Sequence, residues 1–189
     1  MVSEAIVSKA LKTLFEGGTI LYPTDTIWGI GCDATNPDAV RKIFQIKKRP
    51  DTKGMLLLVS SVEMLEEYIT RIPEKALEVL QSATSPLTII YPEARNLPIS
   101  LIHPDGSIGI RITHDGLCLS IIRRFGKPLV STSANFSGNP HPRSFSGIDP
   151  ELKKMVDHIV GWRQDDRSVY SPSKIIKFDK KGLMEVIRE

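Results

Sequence analysis

Apolar positions along the chain change period several times, and each change predicts an element. Ile6, Val7, Ala10, Leu11, Leu14 and Phe15 follow helical spacing after Ser3, a suitable cap, and Gly17-Gly18 ends the segment. "TILYP" then reads as a strand, which Pro23 ends because proline cannot donate to a ladder. Asn36-Pro37 is a cap followed by a first-turn proline, and the pattern predicts a helix to about Lys48, stopped by Pro50. "MLLLVS" (55–60) is a continuous apolar strand of the kind buried on both faces. Helices are expected around 62–70 and 73–82, and strands at "PLTIIYP" (86–92) and "SIGIRIT" (107–113). A helix around 115–125 leads to "KPLVSTSANFSG" (127–138), a strand running into a polar turn. A short helix around 150–160 precedes two last strands, "SKIIKF" and "LMEVIRE". Helices alternate with strands, but some strands follow each other directly. The expected fold class is therefore α/β, a single domain over 1–189 with a twisted sheet of mixed direction flanked by helices.

Composition narrows the setting. The chain has 189 residues, 41% hydrophobic and 25% charged, enough for one substantial core and too apolar for disorder. A formal charge of +3 is compatible with anionic ligands or RNA without demanding either. Cys32 and Cys118 are far apart in no metal-like spacing, and they read as reduced thiols of a cytoplasmic protein. The N-terminal stretch is interrupted by charge, unlike a signal peptide, and no apolar run approaches the roughly 18 residues of a membrane span.

Four stretches could carry chemistry. "LYPTDTIWGIG" (21–31) places Thr24, Asp25 and Thr26 between two core-like pieces, either as a tight turn or as a ligand site. In "QIKKRPDTKG" (45–54) the cations could be a solvated helix end. However, Lys47 falls near the centre of the apolar stripe of Ala39, Val40, Ile43, Phe44 and Ile46, where a lysine needs a partner. Lys48 falls outside that stripe. Pro50 forces Arg49 to be extended, so Lys47 and Arg49 could reach one anion, with Lys53 nearby. "STSANFSG" (131–138) is an ordinary turn or a polar cradle at a strand end. Arg111 alternates with Ile108, Ile110 and Ile112 and so points to the opposite face, which is either solvated or a site.

Other chemistries are disfavoured. "GIGCDA" (29–34) fits a dinucleotide fingerprint in letters only, since Asn36-Pro37 opens the following helix. There is no P-loop, and no HExxH, CxxC or EF-hand loop. Ser133 lacks a nucleophile elbow, and the four histidines are scattered.

Taken in order, "YPTDTIWGIG", "KKRPDTKGMLLLV", "PLT", "IGIRI", "GKPLVSTSANFSG" and "PSKI" resemble the YrdC family, the threonylcarbamoyl-AMP synthases, in its short bacterial form. The pairing of Lys47-x-Arg49 with Ser133-x-Asn135 is that family's hallmark. The resemblance implies that L-threonine, bicarbonate and ATP yield threonylcarbamoyl-AMP and pyrophosphate. It also implies that Mg²⁺ is carried with ATP, and that a tRNA-modifying threonylcarbamoyl transferase complex then uses the product on adenosine 37. It makes Lys47 and Arg49 catalytic. It gives Thr26, Arg111 and Ser131 to threonine, and Arg49, Lys53, Ser107, Ser133, Asn135 and Arg188 to ATP. Direct contact with tRNA or double-stranded RNA also goes with the family. The chain departs from the family pattern at "ATSPLT" (83–88), at Lys53-Gly54 and Leu58, at His141, and at "GWRQDDRSVY" (161–170), where a Gly-rich segment is usual. The alternative reading is a YrdC-like paralogue that binds RNA or nucleotide without this activity.

Overall fold

The apolar runs fold into one mixed sheet, seen in a computed structural model that describes residues 2–48, 55–166, 168 and 170–189. The strands are β1 (Ile20–Tyr22), β2 (Gly29–Asp33), β3 (Leu56–Val59), β4 (Leu87–Tyr91), β5 (Ile108–Ile112), β6 (Leu129–Ser133), β7 (His158–Ile159), β8 (Lys174–Phe178) and β9 (Met184–Arg188). The helices are α1 (Glu4–Phe15), α2 (Pro37–Lys47), α3 (Val62–Glu66), α4 (Glu74–Ser82), α5 (Gly116–Phe125) and α6 (Pro150–Met155). The nine strands run in the order β7-β1-β2-β6-β3-β5-β4-β8-β9. The pairs β1/β7, β3/β5 and β4/β8 are parallel and the remaining pairs antiparallel, so the expected mixed direction is observed.

Side-chain alternation gives the sheet two unlike faces. Leu57, Val59, Ile89, Ile110 and Val130 point to one face, where α2, α3, α4 and α6 cover them with Ile43, Phe44, Leu65, Ala76 and Leu152. Ile20, Tyr22, Leu58 and Leu129 point to the other, under α1 and α5. Those two helices cover only part of that second face. Register places Gly29 beside Ser133, Gly31 beside Ser131, Leu56 between Ser131 and Gly109, and Leu58 beside Arg111. A run of small side chains around one arginine thus occupies the part of this face that the helices leave open.

Local chemistry explains the element ends. Asn36 caps α2 as expected, its Oδ1 accepting from Asp38 N at 3.0 Å and Ala39 N at 3.2 Å. Ser3 precedes α1 without a side-chain cap, and its carbonyl instead accepts from Ile6 N and Val7 N. The helix expected to run to about residue 160 stops at Met155. Asp157 stops it, because its Oδ2 accepts from Thr19 N at 2.7 Å and Thr19 Oγ1 at 2.9 Å and turns His158–Ile159 into β7 beside β1. The helix expected over 62–70 ends at Glu66, since Ile69 bridges to Ala94 and Thr70 N donates to Glu93 O. Gly31 is required by close approach: a Cβ there would stand 2.6 Å from Val130 O and 2.8 Å from Tyr22 Cε1.

Candidate active site

The polar turn between β1 and β2 is ordered by its own hydroxyls. Thr24 Oγ1 donates to Ile27 O at 2.9 Å and accepts from Thr26 N at 3.0 Å. With its proton committed to Ile27, Thr24 Oγ1 receives the Thr26 hydroxyl proton across their 2.9 Å contact. Thr26 Oγ1 in turn accepts from Arg111 Nη1 at 2.9 Å. The proton order therefore runs one way, from Arg111 through Thr26 and Thr24 to a backbone carbonyl. This leaves Thr26 Oγ1 one acceptor lone pair.

Arg111 is 3% exposed, so it is not part of a solvated outer surface. A buried guanidinium needs a counter-ion, and Asp25 Oδ1 supplies it at 3.2 Å from Nη2. Asp25 Oδ2 accepts from Thr113 Oγ1 at 3.5 Å. The carboxylate of the turn thus belongs to Arg111. Burial first, and then the Asp115 and Asp25 carboxylates, push the nearby Cys118 thiol well above its ordinary range, so it stays protonated.

The site opens as a cleft of about 280 Å³ over the small residues of the sheet. Thr24, Thr26, Trp28 and Gly29 come from the turn and β2, Met55 and Leu56 from the start of β3, and Ser131, Thr132 and Ser133 from β6. Arg111 lies on the floor, and Arg188 stands across the cleft at the end of β9. Arg188 donates Nε and Nη2 to Ser173 O at 3.1 and 2.7 Å. Desolvation, then the charge of Arg111, pull its pKa below the ordinary arginine value. Two guanidiniums that repel across a cleft favour an anion between them. Trp28 closes one side, its ring 4.8 Å from that of Phe145 in the loop after β6. His141 of that loop lines the mouth.

Lys47 takes another position. It is 2% exposed, and its ammonium donates to Ser133 O at 2.5 Å, Asn135 O at 2.8 Å and Asn135 Oδ1 at 3.3 Å. Its own carbonyl accepts from Ser137 N at 2.9 Å. Asn135 Oδ1 also accepts from Ser133 Oγ at 2.5 Å, and Asn135 Nδ2 donates to Asn139 O at 2.5 Å. Among the described residues, the lysine on the inward face thus finds partners in the Ser133-x-Asn135 turn, which it clamps from behind the cleft. Lys48 lies outside, over the Phe136 ring at 4.8 Å.

Of the residues expected at the site, the structure gathers Thr26, Arg111, Ser131, Ser133 and Arg188 around one cleft, with Lys47 and Asn135 directly behind Ser133. Ser107 is tied elsewhere: its N and Oγ donate to Asp105 Oδ1 at 3.0 and 2.6 Å, and it does not line the cleft. Arg49 and Lys53 lie outside the described residues. Sequence reasoning left Thr24 open between turn and ligand site and gave no role to Trp28, Leu56, Ser173 or Ile175. The T-x-T spacing could have identified Thr24, and the "PSKI" stretch could have identified Ser173. Among the described residues no group of three or more His, Cys, Asp or Glu could hold a metal, and no helix is long and apolar enough to cross a membrane.

The comparisons agree on one neighbourhood. The family model named Sua5/YciO/YrdC, described as "Telomere recombination", matches residues 12–189. A threonylcarbamoyl-AMP synthase of Xanthomonas euvesicatoria pv. vesicatoria is 35% identical over 157 residues, covering 82% of this chain and 84% of that protein. Sua5 of P. abyssi, solved in complex with L-threonine, superposes with a TM-score of 0.83 at 25% identity over 94% of this chain. The chain spans about half of that protein, 52% of its length. YciO of E. coli shares the fold, with a TM-score of 0.83 at 23% identity, over 100% of this chain and 91% of that one.

Proposed function

The chain belongs to the Sua5/YciO/YrdC family, and on that premise we propose that it is a threonylcarbamoyl-AMP synthase using L-threonine, bicarbonate and ATP. The observation that carries this reading is Arg111, a buried guanidinium fixed by Asp25 and Thr26 on the floor of an open cleft. Nη1 spends one hydrogen on Thr26, Nη2 is ion-paired with Asp25, and the guanidinium keeps hydrogens for an incoming carboxylate. The spare lone pair of Thr26 Oγ1 suits the substrate amine. Ser131 joins Arg111 on the threonine side, and Arg188 and Ser133, which line the same cleft, are left for the phosphates.

The reaction balances without a protein nucleophile. The threonine amine takes up carbon dioxide from bicarbonate with loss of water, and the carbamate oxygen attacks the α-phosphorus of ATP as pyrophosphate leaves. Such chemistry requires anions gathered, oriented and neutralised, which is what this cleft's fixed cations and hydroxyls supply. Mg²⁺ carried by the ATP phosphates would offset part of their charge there. Lys47 keeps Ser133 and Asn135 in place, and Arg49 and Lys53 act on ATP from the segment before β3. Ser107, bound to Asp105 away from the cleft, keeps its assignment to ATP on resemblance alone.

The adenylate is a reactive mixed anhydride, and a threonylcarbamoyl transferase complex acting on tRNA consumes it. Two free, buried cysteines suit a reducing compartment, and we place the reaction in the cytoplasm. Incubation with ATP, threonine and bicarbonate should release pyrophosphate only when both co-substrates are present. ATP turnover indifferent to threonine would replace this reading with that of a nucleotide- or RNA-binding paralogue. Binding of tRNA or double-stranded RNA, with affinity falling steeply as salt rises, would add an RNA contact to either reading.

A further inference from the structure

Arg163, Asp166, Ser168 and Tyr170, from the stretch that departs from the Gly-rich pattern, are built into the wall behind the threonine turn. With Arg143 and Ser144 they line a narrow cavity whose opposite wall is Pro23–Trp28, the reverse side of the turn that faces the main cleft. Arg163 is the anchor of this wall. Nη2 donates to Asp115 Oδ2 at 2.7 Å, with the two side chains 23% and 10% exposed. Its backbone lies at φ +54, a region glycine enters freely and arginine does not. Such a conformation persists where the surroundings over-determine it.

From Asp115 a line of contacts leads to the cleft. Asp115 Oδ1 caps α5, accepting from Leu117 N and Cys118 N at 3.0 Å each. Asp115 N donates to Thr113 Oγ1 at 3.2 Å, Thr113 Oγ1 donates to Asp25 Oδ2 at 3.5 Å, and Asp25 Oδ1 meets Arg111 Nη2 at 3.2 Å. Charge alternates along this line: cation, anion, hydroxyl, anion, cation. Without Arg163, the Asp115 carboxylate would lose its counter-ion, and the Asp115 backbone that donates to Thr113 would lose its anchor, loosening Thr113, Asp25 and the aim of Arg111.

We propose that Arg163 is a positioning residue for the amino-acid substrate, holding Asp25 through Asp115 and Thr113 so that Arg111 presents its free hydrogens to the substrate carboxylate. This rests on the reading of the cleft as a threonylcarbamoyl-AMP synthase site. ATP is held by other residues, so the effect falls on threonine alone.

The test measures pyrophosphate release with threonine varied at saturating ATP and the reverse, and threonine binding by calorimetry. R163A should raise the threonine KM and Kd about tenfold, with kcat and the ATP KM within about twofold. R163K should recover most of the loss, and R163Q should not. An unchanged threonine KM in R163A overturns the proposal, as does an equal loss in kcat and in both KM values. If R163A fails to unfold cooperatively, the lysine and glutamine variants decide: equal threonine KM values for the two overturn it. A wild-type protein that binds threonine but releases no pyrophosphate removes the synthase reading, and the Kd ratio of R163A to wild type then decides this inference. A wild-type protein that binds no threonine overturns both.

Discussion

The two faces of the sheet show what a binding site costs in packing. On one face, Leu57, Ile89, Ile110 and Val130 are met by four helices, and these side chains are almost completely buried. On the other, α1 and α5 repeat that arrangement over Leu58 and Leu129, and then the branched residues give way to Gly29, Gly109, Ser131 and Ser133. Each apolar side chain omitted there forgoes burial worth about 1.5–3 kcal/mol. What replaces it is a floor of hydroxyls and one guanidinium held at two points on rigid strands. Recognition is thus placed where the backbone is fixed by neighbours on both sides, and the missing hydrophobic stabilisation is concentrated on the opposite face.

The largest test of this contrast is Arg111→Ala. It should lower threonine-dependent pyrophosphate release by about a thousandfold. Its loss also strands Asp25, so chemical denaturation should show about 2–4 kcal/mol of lost stability. Leu57→Ala, on the packed face, should cost about 2–5 kcal/mol by cavity formation. It should leave the threonine KM within about twofold at a temperature where the variant is folded. A changed KM at equal folded fraction would mean that the faces are coupled.

Gly31→Ala probes the junction of the two halves of the open face. Its methyl would meet Val130 O at 2.6 Å and Tyr22 Cε1 at 2.8 Å, so overpacking should cost about 1–3 kcal/mol in denaturant melts. A neutral result would show that both β6, through Val130 O, and the Tyr22 ring of β1 can give way without penalty.

The smallest effect lies away from the cleft, at Asp105. Its hydrogen bonds from Lys177, then Ser107, hold its carboxyl well below the ordinary 3.8. A depressed carboxylate stabilises the fold above its unfolded value, and the contribution is lost as pH falls below about 4 toward the native pKa. Thermal melts in this acid range should lose stability more steeply in the wild type than in Lys177→Met, while both faces keep their packing.

Periodicity read most of the frame because it reports burial directly. Asn36-Pro37, the run at 55–60 and the alternation around Arg111 each placed an element or a side chain correctly. What it missed depends on partners far along the chain. The short β7 exists because Asp157 is bound by Thr19, and α3 ends early because Thr70 is claimed by Glu93. The site was half legible. Facing showed that Lys47 needed a partner, but the acceptors it finds among the described residues lie more than 80 positions away, and only the fold could show that it clamps a turn. Asp25 allowed two roles in sequence until Arg111 arrived beside it.

The sheet order also has a consequence for the timing of synthesis. The cleft takes Thr24 to Gly29 from early in the chain and Arg188 from β9, with β3, β5 and β6 between. A growing chain can form α1 and the β1–β2 hairpin early, but it has no complete cleft until Arg188 has been added. Contacts of such long range make folding slow relative to local structure. Partly made chains therefore lack the guanidinium that stands across the cleft from Arg111.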